Sequence, residues 1–179
     1  MRKILNILVI LLFIGVFLTA GCTQGTPSTN TVKSDDDLYL KSLDDFFLDY
    51  ISIASKYKSA SQLSDHQRFA ADLKSLTITY QDRVSALTVS PKFELSRNSF
   101  LQAMKELEST ADYMLSTTYG KSVLDMSPSE KALQDEDQRH IKNFGLFLTN
   151  TYDSNVCLAA GDKYLNITNG CKEISKTTK

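Results

Sequence analysis

Tyr39-Leu-Lys-Ser-Leu-Asp-Asp-Phe46-Phe-Leu-Asp-Tyr50-Ile-Ser-Ile-Ala-Ser-Lys-Tyr57 decides the fold class. Tyr39, Leu43, Phe46, Tyr50, Ile53 and Tyr57 recur at steps of 4, 3, 4, 3 and 4, the spacing of one helical face. Leu40, Phe47, Ile51 and Ala54 broaden that line into the stripe a helix buries in a globular core. The same spacing returns three times. Phe69, Leu73, Leu76, Tyr80, Val84 and Leu87 form a second line, and Phe93, Phe100, Met104, Leu107, Ala111 and Met114 a third, interrupted by Arg97. Leu133, Asp137, His140, Phe144, Phe147, Thr151, Asn155 and Leu158 form a fourth, flanked by Ile141, Leu148 and Tyr152. No segment alternates with period two, so the chain reads as all-α.

Capping chemistry sets the boundaries. Ser64-Asp-His-Gln67 and Ser127-Pro-Ser-Glu130 match the capping box, in which the serine accepts from a first-turn N–H and the acid or amide reaches back. Ser34 with Asp37 is a weaker version, and Asp35 and Asp36 suit the positive end of a helix dipole. Pro91 and Pro128 each follow a serine, at the first helical position where a missing N–H costs nothing. Gly120 and Gly161 stand where helices stop. The spacing predicts helices near 35–60, 65–88, 91–118 and 128–160. Short connections make consecutive helices antiparallel, so the expected architecture is an up-down-up-down four-helix bundle over 35–160 with a short C-terminal tail, 161–179.

Length and composition agree with one such domain. The 179 residues are 42% hydrophobic and 23% charged, which excludes a disordered chain, and three cysteines are too few for a disulfide-stapled miniprotein. A net charge of −1 gives no basis for a nucleic-acid partner.

The first 21 residues differ from the rest. Arg2 and Lys3 precede the apolar run Ile4–Leu18, broken only by Asn6 and Gly15, and small residues follow. That order is a secretory signal peptide. Leu18-Thr-Ala-Gly-Cys22 resembles the lipobox of bacterial and archaeal lipoproteins, with Thr19 standing where leucine is usual. The resemblance covers residues 1–22 only. It implies cleavage before Cys22, a lipid on the Cys22 thiol, and a domain held outside the cytoplasmic membrane by that lipid. The alternative is an uncleaved anchor, since about 18 apolar residues approach the roughly 20 needed to span a bilayer. Loss of residues 1–21 leaves 18 basic against 21 acidic residues, a net −3. Polar, aperiodic residues follow Cys22, so 22–34 reads as the lipidated cysteine and a flexible tether, with a reach of roughly 20 Å.

Cys157 and Cys171 remain. Outside the cytoplasmic membrane two leftover cysteines are expected to pair. Asn169-Gly170 is a turn signal that would fold the tail back toward Cys157. The tripeptide Asn166-Ile-Thr168 is an acceptor for N-linked glycosylation on what reads as a surface turn.

No catalytic residue, cofactor or metal is assigned. The chain has no GxGxxG, no phosphate-binding loop and no HExxH. His66, at the second position of its predicted helix, reads as exposed. His140 follows Asp137 by three residues and Glu136 by four, a partial imitation of a di-iron bundle motif that lacks the carboxylates of the other helices. The reading of that segment is a solvated helix entrance. Tyr39, Tyr50, Tyr57, Tyr80, Tyr113 and Tyr152 lie on or beside inward stripes, and buried hydroxyls need partners such as Asn155, Thr151 or Arg97. The functional expectation is a lipid-anchored, non-catalytic module that binds a protein partner or small ligand. The alternatives are a metal-binding or enzymatic bundle using His140 and Asp137, and an envelope spacer.

Overall fold

The computed structural model describes residues 34–177, with side chains through residue 172. The expected signal peptide, Cys22 and all of the expected tether except residue 34 lie outside the described residues. Helices are α1 (Asp36–Lys56), α2 (Leu63–Ser85), α3 (Pro91–Leu115), α4 (Pro128–Thr151), α5 (Ser154–Ala160) and α6 (Leu165–Thr177), with a short 3-10 turn at Val123–Asp125. No strand occurs among the described residues, as the sequence predicts, but six helices are present rather than four. No helix of the described residues is long and apolar enough to cross a membrane.

Side-chain registers show that consecutive long helices run antiparallel. Between α1 and α2, Arg83 meets Asp45 and Asp72 meets Lys56. Between α2 and α3, Lys74 meets Asp112, while Arg97 donates to the carbonyls of Val84 and Ser85. Between α3 and α4, Ser96 Oγ donates to the Thr151 carbonyl and Glu106 faces His140. The core lies along the first three predicted stripes. Tyr39, Leu43, Phe46, Phe69, Leu73, Tyr80, Phe93, Phe100, Met104 and Leu107 are all buried. Ile51 is not part of the α1 stripe and stays exposed. On α4 the buried line is Asp137, Ile141, Phe144, Leu148 and Thr151. The predicted line ran to one side of it, and its ends Leu133 and Leu158 are exposed.

Two of the predicted helix starts hold. Ser127 and Glu130 form the reciprocal capping box, with Pro128 next. Lys121 and Ser127 together hold the Glu130 carboxyl down at about 2. Pro91 opens α3 after Ser90, whose side chain makes no cap bond. The box expected at Ser64 is absent, because α2 begins one residue earlier with Gln62 at its N-cap. The acids at 35–37 make tertiary bonds rather than a cap. Asp35 and Asp36 accept from the backbone N–H groups of Thr88 and Ser90, and Asp37 pairs with Lys163 and Tyr164. Gly120 and Gly161 have φ of +85° and +48°, in the left-handed region that side chains resist.

The largest departure from expectation is at the C-terminus. The fourth predicted helix ends at Thr151. Asp153 then accepts from the Val156 N–H and starts α5 as an N-cap. The expected tail is helix α6, so Asn169-Gly170 is helical and not a turn. Its first turn is built by α1. The Asp44 carboxylate accepts from the backbone N–H groups of Asn166 and Ile167 and from Asn166 Nδ2. These are orphan donors at the positive end of a helix, which a carboxylate satisfies best. Ile167 is fully buried, and Gly170 lies so near the Tyr152 ring that a Cβ would sit 3.0 Å from it, a contact the ring would have to yield to. Cys157 and Cys171 form the expected disulfide, Cα atoms 5.9 Å apart, joining α5 to α6. The glycosylation tripeptide is therefore inside a docked helix and not on a surface turn, with Thr168 donating to the Gly161 carbonyl.

Candidate functional site

Two polar lines face each other across α3 and α4. Glu106, Thr110 and Tyr113 are spaced 4 and 3 on α3, beside the apolar stripe of Leu107, Ala111 and Met114. Asp137, His140 and Asn143 are spaced 3 and 3 on α4. Antiparallel packing sets Glu106 opposite His140 and Thr110 opposite Asp137. His140 Nδ1 meets Glu106 Oε2 at 2.5 Å, Asn143 Nδ2 donates to Glu106 Oε1 at 3.4 Å, and Glu136 lies 3.9 Å from His140 Nε2.

Asp137 overturns the reading of this segment as a solvated entrance. Only 5% of it is exposed, and its Oδ1 has no hydrogen-bond partner. Burial pushes its carboxyl up to about 6, although the Thr110 hydroxyl and His140 act to lower it. Thr110 is also buried, and its Oγ1 makes no hydrogen bond of normal geometry. An unsatisfied buried polar group costs about 1–3 kcal/mol, so two on one seam are unusual.

Aromatic residues wall the seam. The Tyr113 and Tyr119 rings pack edge to face at 5.9 Å. Both hydroxyls are raised, first by burial and then by the charge of Asp137. His66 is buried against Tyr119 at 6.0 Å, contrary to its expected exposure. Sequence reasoning selected Asp137, His140 and Tyr113 but missed Glu106, Thr110 and Tyr119. The first two carry a signal: polar residues at helical spacing next to an apolar stripe. Tyr119 lies in the α3–α4 connection and has none.

The other tyrosines divide in two. Tyr39 pairs with Ser96 at 2.6 Å, Tyr80 donates to Asp49, Tyr57 to Asp72, and Tyr164 to Asp37. None of these partners is the Asn155, Thr151 or Arg97 side chain suggested by the sequence; Asn155 instead donates to the Lys92 carbonyl. The Tyr50 and Tyr152 hydroxyls are buried without a partner. They lie apart from the α3–α4 polar lines, Tyr50 stacked on Phe46 and Tyr152 tilted against Phe47.

Among the described residues no three His, Cys, Asp or Glu side chains gather to hold a metal ion. No known protein family, curated protein or solved structure matches this chain.

Proposed function

We propose that the chain is an extracytoplasmic lipoprotein, held to the membrane through a lipid on Cys22, whose helical domain is a non-catalytic binding module. In this reading the four long helices act as one up-down-up-down bundle, and α5 and α6 brace its tethered end. One observation carries it: the tether and the polar seam belong to opposite halves of the molecule. The chain enters at Asp35–Asp37, which bind the α2–α3 connection and Lys163. Asp137 lies 14 residues before Thr151, about 20 Å along α4, beside the N-terminus of α2 and the α3–α4 connection. A flexible tether of roughly 20 Å would leave the domain free to present that seam away from the membrane.

The competing metal or acid–base reading draws on the raised carboxyl of Asp137 next to His140, but the described residues lack the further ligands a metal needs. A plain spacer has no use for an unpaired buried carboxyl.

Cys22→Ser tests the address. The substitution removes the lipid acceptor, so the protein should move from the membrane fraction to the soluble extracytoplasmic fraction. Full retention in membranes, unaffected by the substitution, would contradict a lipid anchor and identify the apolar run as the span.

A further inference from the structure

Helix α4 packs along α3, and its two halves are held there by different chemistry. Over residues 141–151 the buried side chains are Ile141, Phe144, Leu148 and Thr151, a mainly apolar seam. Over residues 128–140 the only buried residue is Asp137. Ala132 and Leu133, the aliphatic side chains of that half, are both exposed, while Gln134 and His140 are half-buried one turn to either side of Asp137. A helix segment with no buried apolar contact stands at the low end of local stability. What docks this half on α3 is the seating of one carboxyl.

The seat favours that carboxyl in its neutral form. From α3, Thr110 and Tyr113 face it; Tyr119 comes from the α3–α4 connection, and His66 of α2 packs against Tyr119. On α4 itself, His140 lies one turn on, but Glu106 of α3 and Glu136 already flank its ring. Thr110 and His140 both act to hold the Asp137 proton off, and burial outweighs them. A hydroxyl contact is too little for an ionised carboxylate withdrawn to 5% exposure.

We propose that residues 128–140, the first half of α4, form a pH-controlled clasp: protonated Asp137 seats them against Thr110 and Tyr113 of α3, and ionised Asp137 releases them, with Ile141 and Phe144 as the fixed end. Release uncovers the Thr110 and Tyr113 side of α3 and leaves α1, α2 and α3 packed. The carboxyl titrates at about 6 when seated and returns to 3.8 when released. Release is therefore most opposed below pH 3.8, grows easier as pH rises, and levels off above about 6. Between pH 5 and 7.5 those two values shift the clasp about tenfold toward release. The clasp goes beyond the binding-module reading and holds whether or not Cys22 carries a lipid.

The test is hydrogen–deuterium exchange of the full chain, purified in detergent, at pH 5 and pH 7.5, corrected for the intrinsic amide rate at each pH. Protection of amides 131–140 should lie well below that of amides 142–151 at both pH values. It should also fall about tenfold from pH 5 to 7.5. Asp137→Asn keeps the shape of the side chain without its titration, so the fall should vanish there, with circular dichroism checking that the helices persist. His140→Gln leaves Asp137 in place and should keep the fall. The proposal is overturned by equal protection of the two halves, by no fall in wild type, by the same fall in Asp137→Asn, or by loss of the fall in His140→Gln.

Discussion

Phe46→Ala lowers the free energy of unfolding by about 3–5 kcal/mol, the cost of emptying a large aromatic site in a close-packed core. Phe46 is fully buried and lies where three helices meet. Its ring contacts Phe47 and Tyr50 on α1, Tyr80 on α2 and Phe100 on α3, with centroids 5.3–6.0 Å apart. Rings held from three directions cannot collapse into the space left behind, so the loss belongs near the upper end of that range. Urea denaturation followed by circular dichroism measures it. Leu48→Ala, two residues along the same helix but exposed, should change stability by no more than about 0.5 kcal/mol. Similar effects for the two variants would contradict the orientation of α1.

Removal of the Cys157–Cys171 bridge has the next largest effect. The disulfide closes a loop with a sequence separation of 14, for which the chain-entropy account gives about 3 kcal/mol. The loss should concentrate on α6, because tertiary links hold that helix in place. These include the disulfide, the buried side chain of Ile167, and the Asp44 carboxylate on its first turn. Hydrogen exchange after substitution of both cysteines by serine should show α6 amides losing protection first, while α2 and α3 keep theirs. Unchanged stability together with unchanged α6 protection would mean that the bridge does not hold that helix.

How far the sequence could be read depends on what makes each element helical. In α1, α2 and α3 the apolar stripe alone suffices, and Tyr39, Phe69 and Phe100 are buried where the spacing puts them. The α4 stripe is displaced to one side because Ile141 and Leu148, read as flanking residues, are buried where His140 and Phe147 are expected, while Leu133 is apolar and exposed. Beyond Thr151 the 3-and-4 spacing continues through Asn155 and Leu158, which hides the break at Asp153. Asp153, the N-cap of α5, is masked in the sequence by that continuing periodicity. Helix α6 was not legible at all. Asn166, Thr168, Asn169 and Gly170 are poor helix formers, and only tertiary contacts with α1 and the disulfide make that segment helical. The candidate site was half legible for a similar reason. Asp137 and His140 share a helix, but Glu106 and Thr110 join them only through the antiparallel register of α3.

The account turns on Asp137 being withdrawn from water in the half of the domain remote from Asp35–Asp37. A carboxyl raised from 3.8 to about 6 favours its protonated form when folded. Its contribution to stability is therefore full below pH 3.8 and is lost as pH rises through about 6. The most direct measurement is the pH titration of the Asp137 side-chain carboxyl followed by its 13C chemical shift, assigned with Asp137→Asn. The account predicts a midpoint of about 6. A midpoint at the ordinary 3.8 would show a solvated carboxylate and would contradict the buried site.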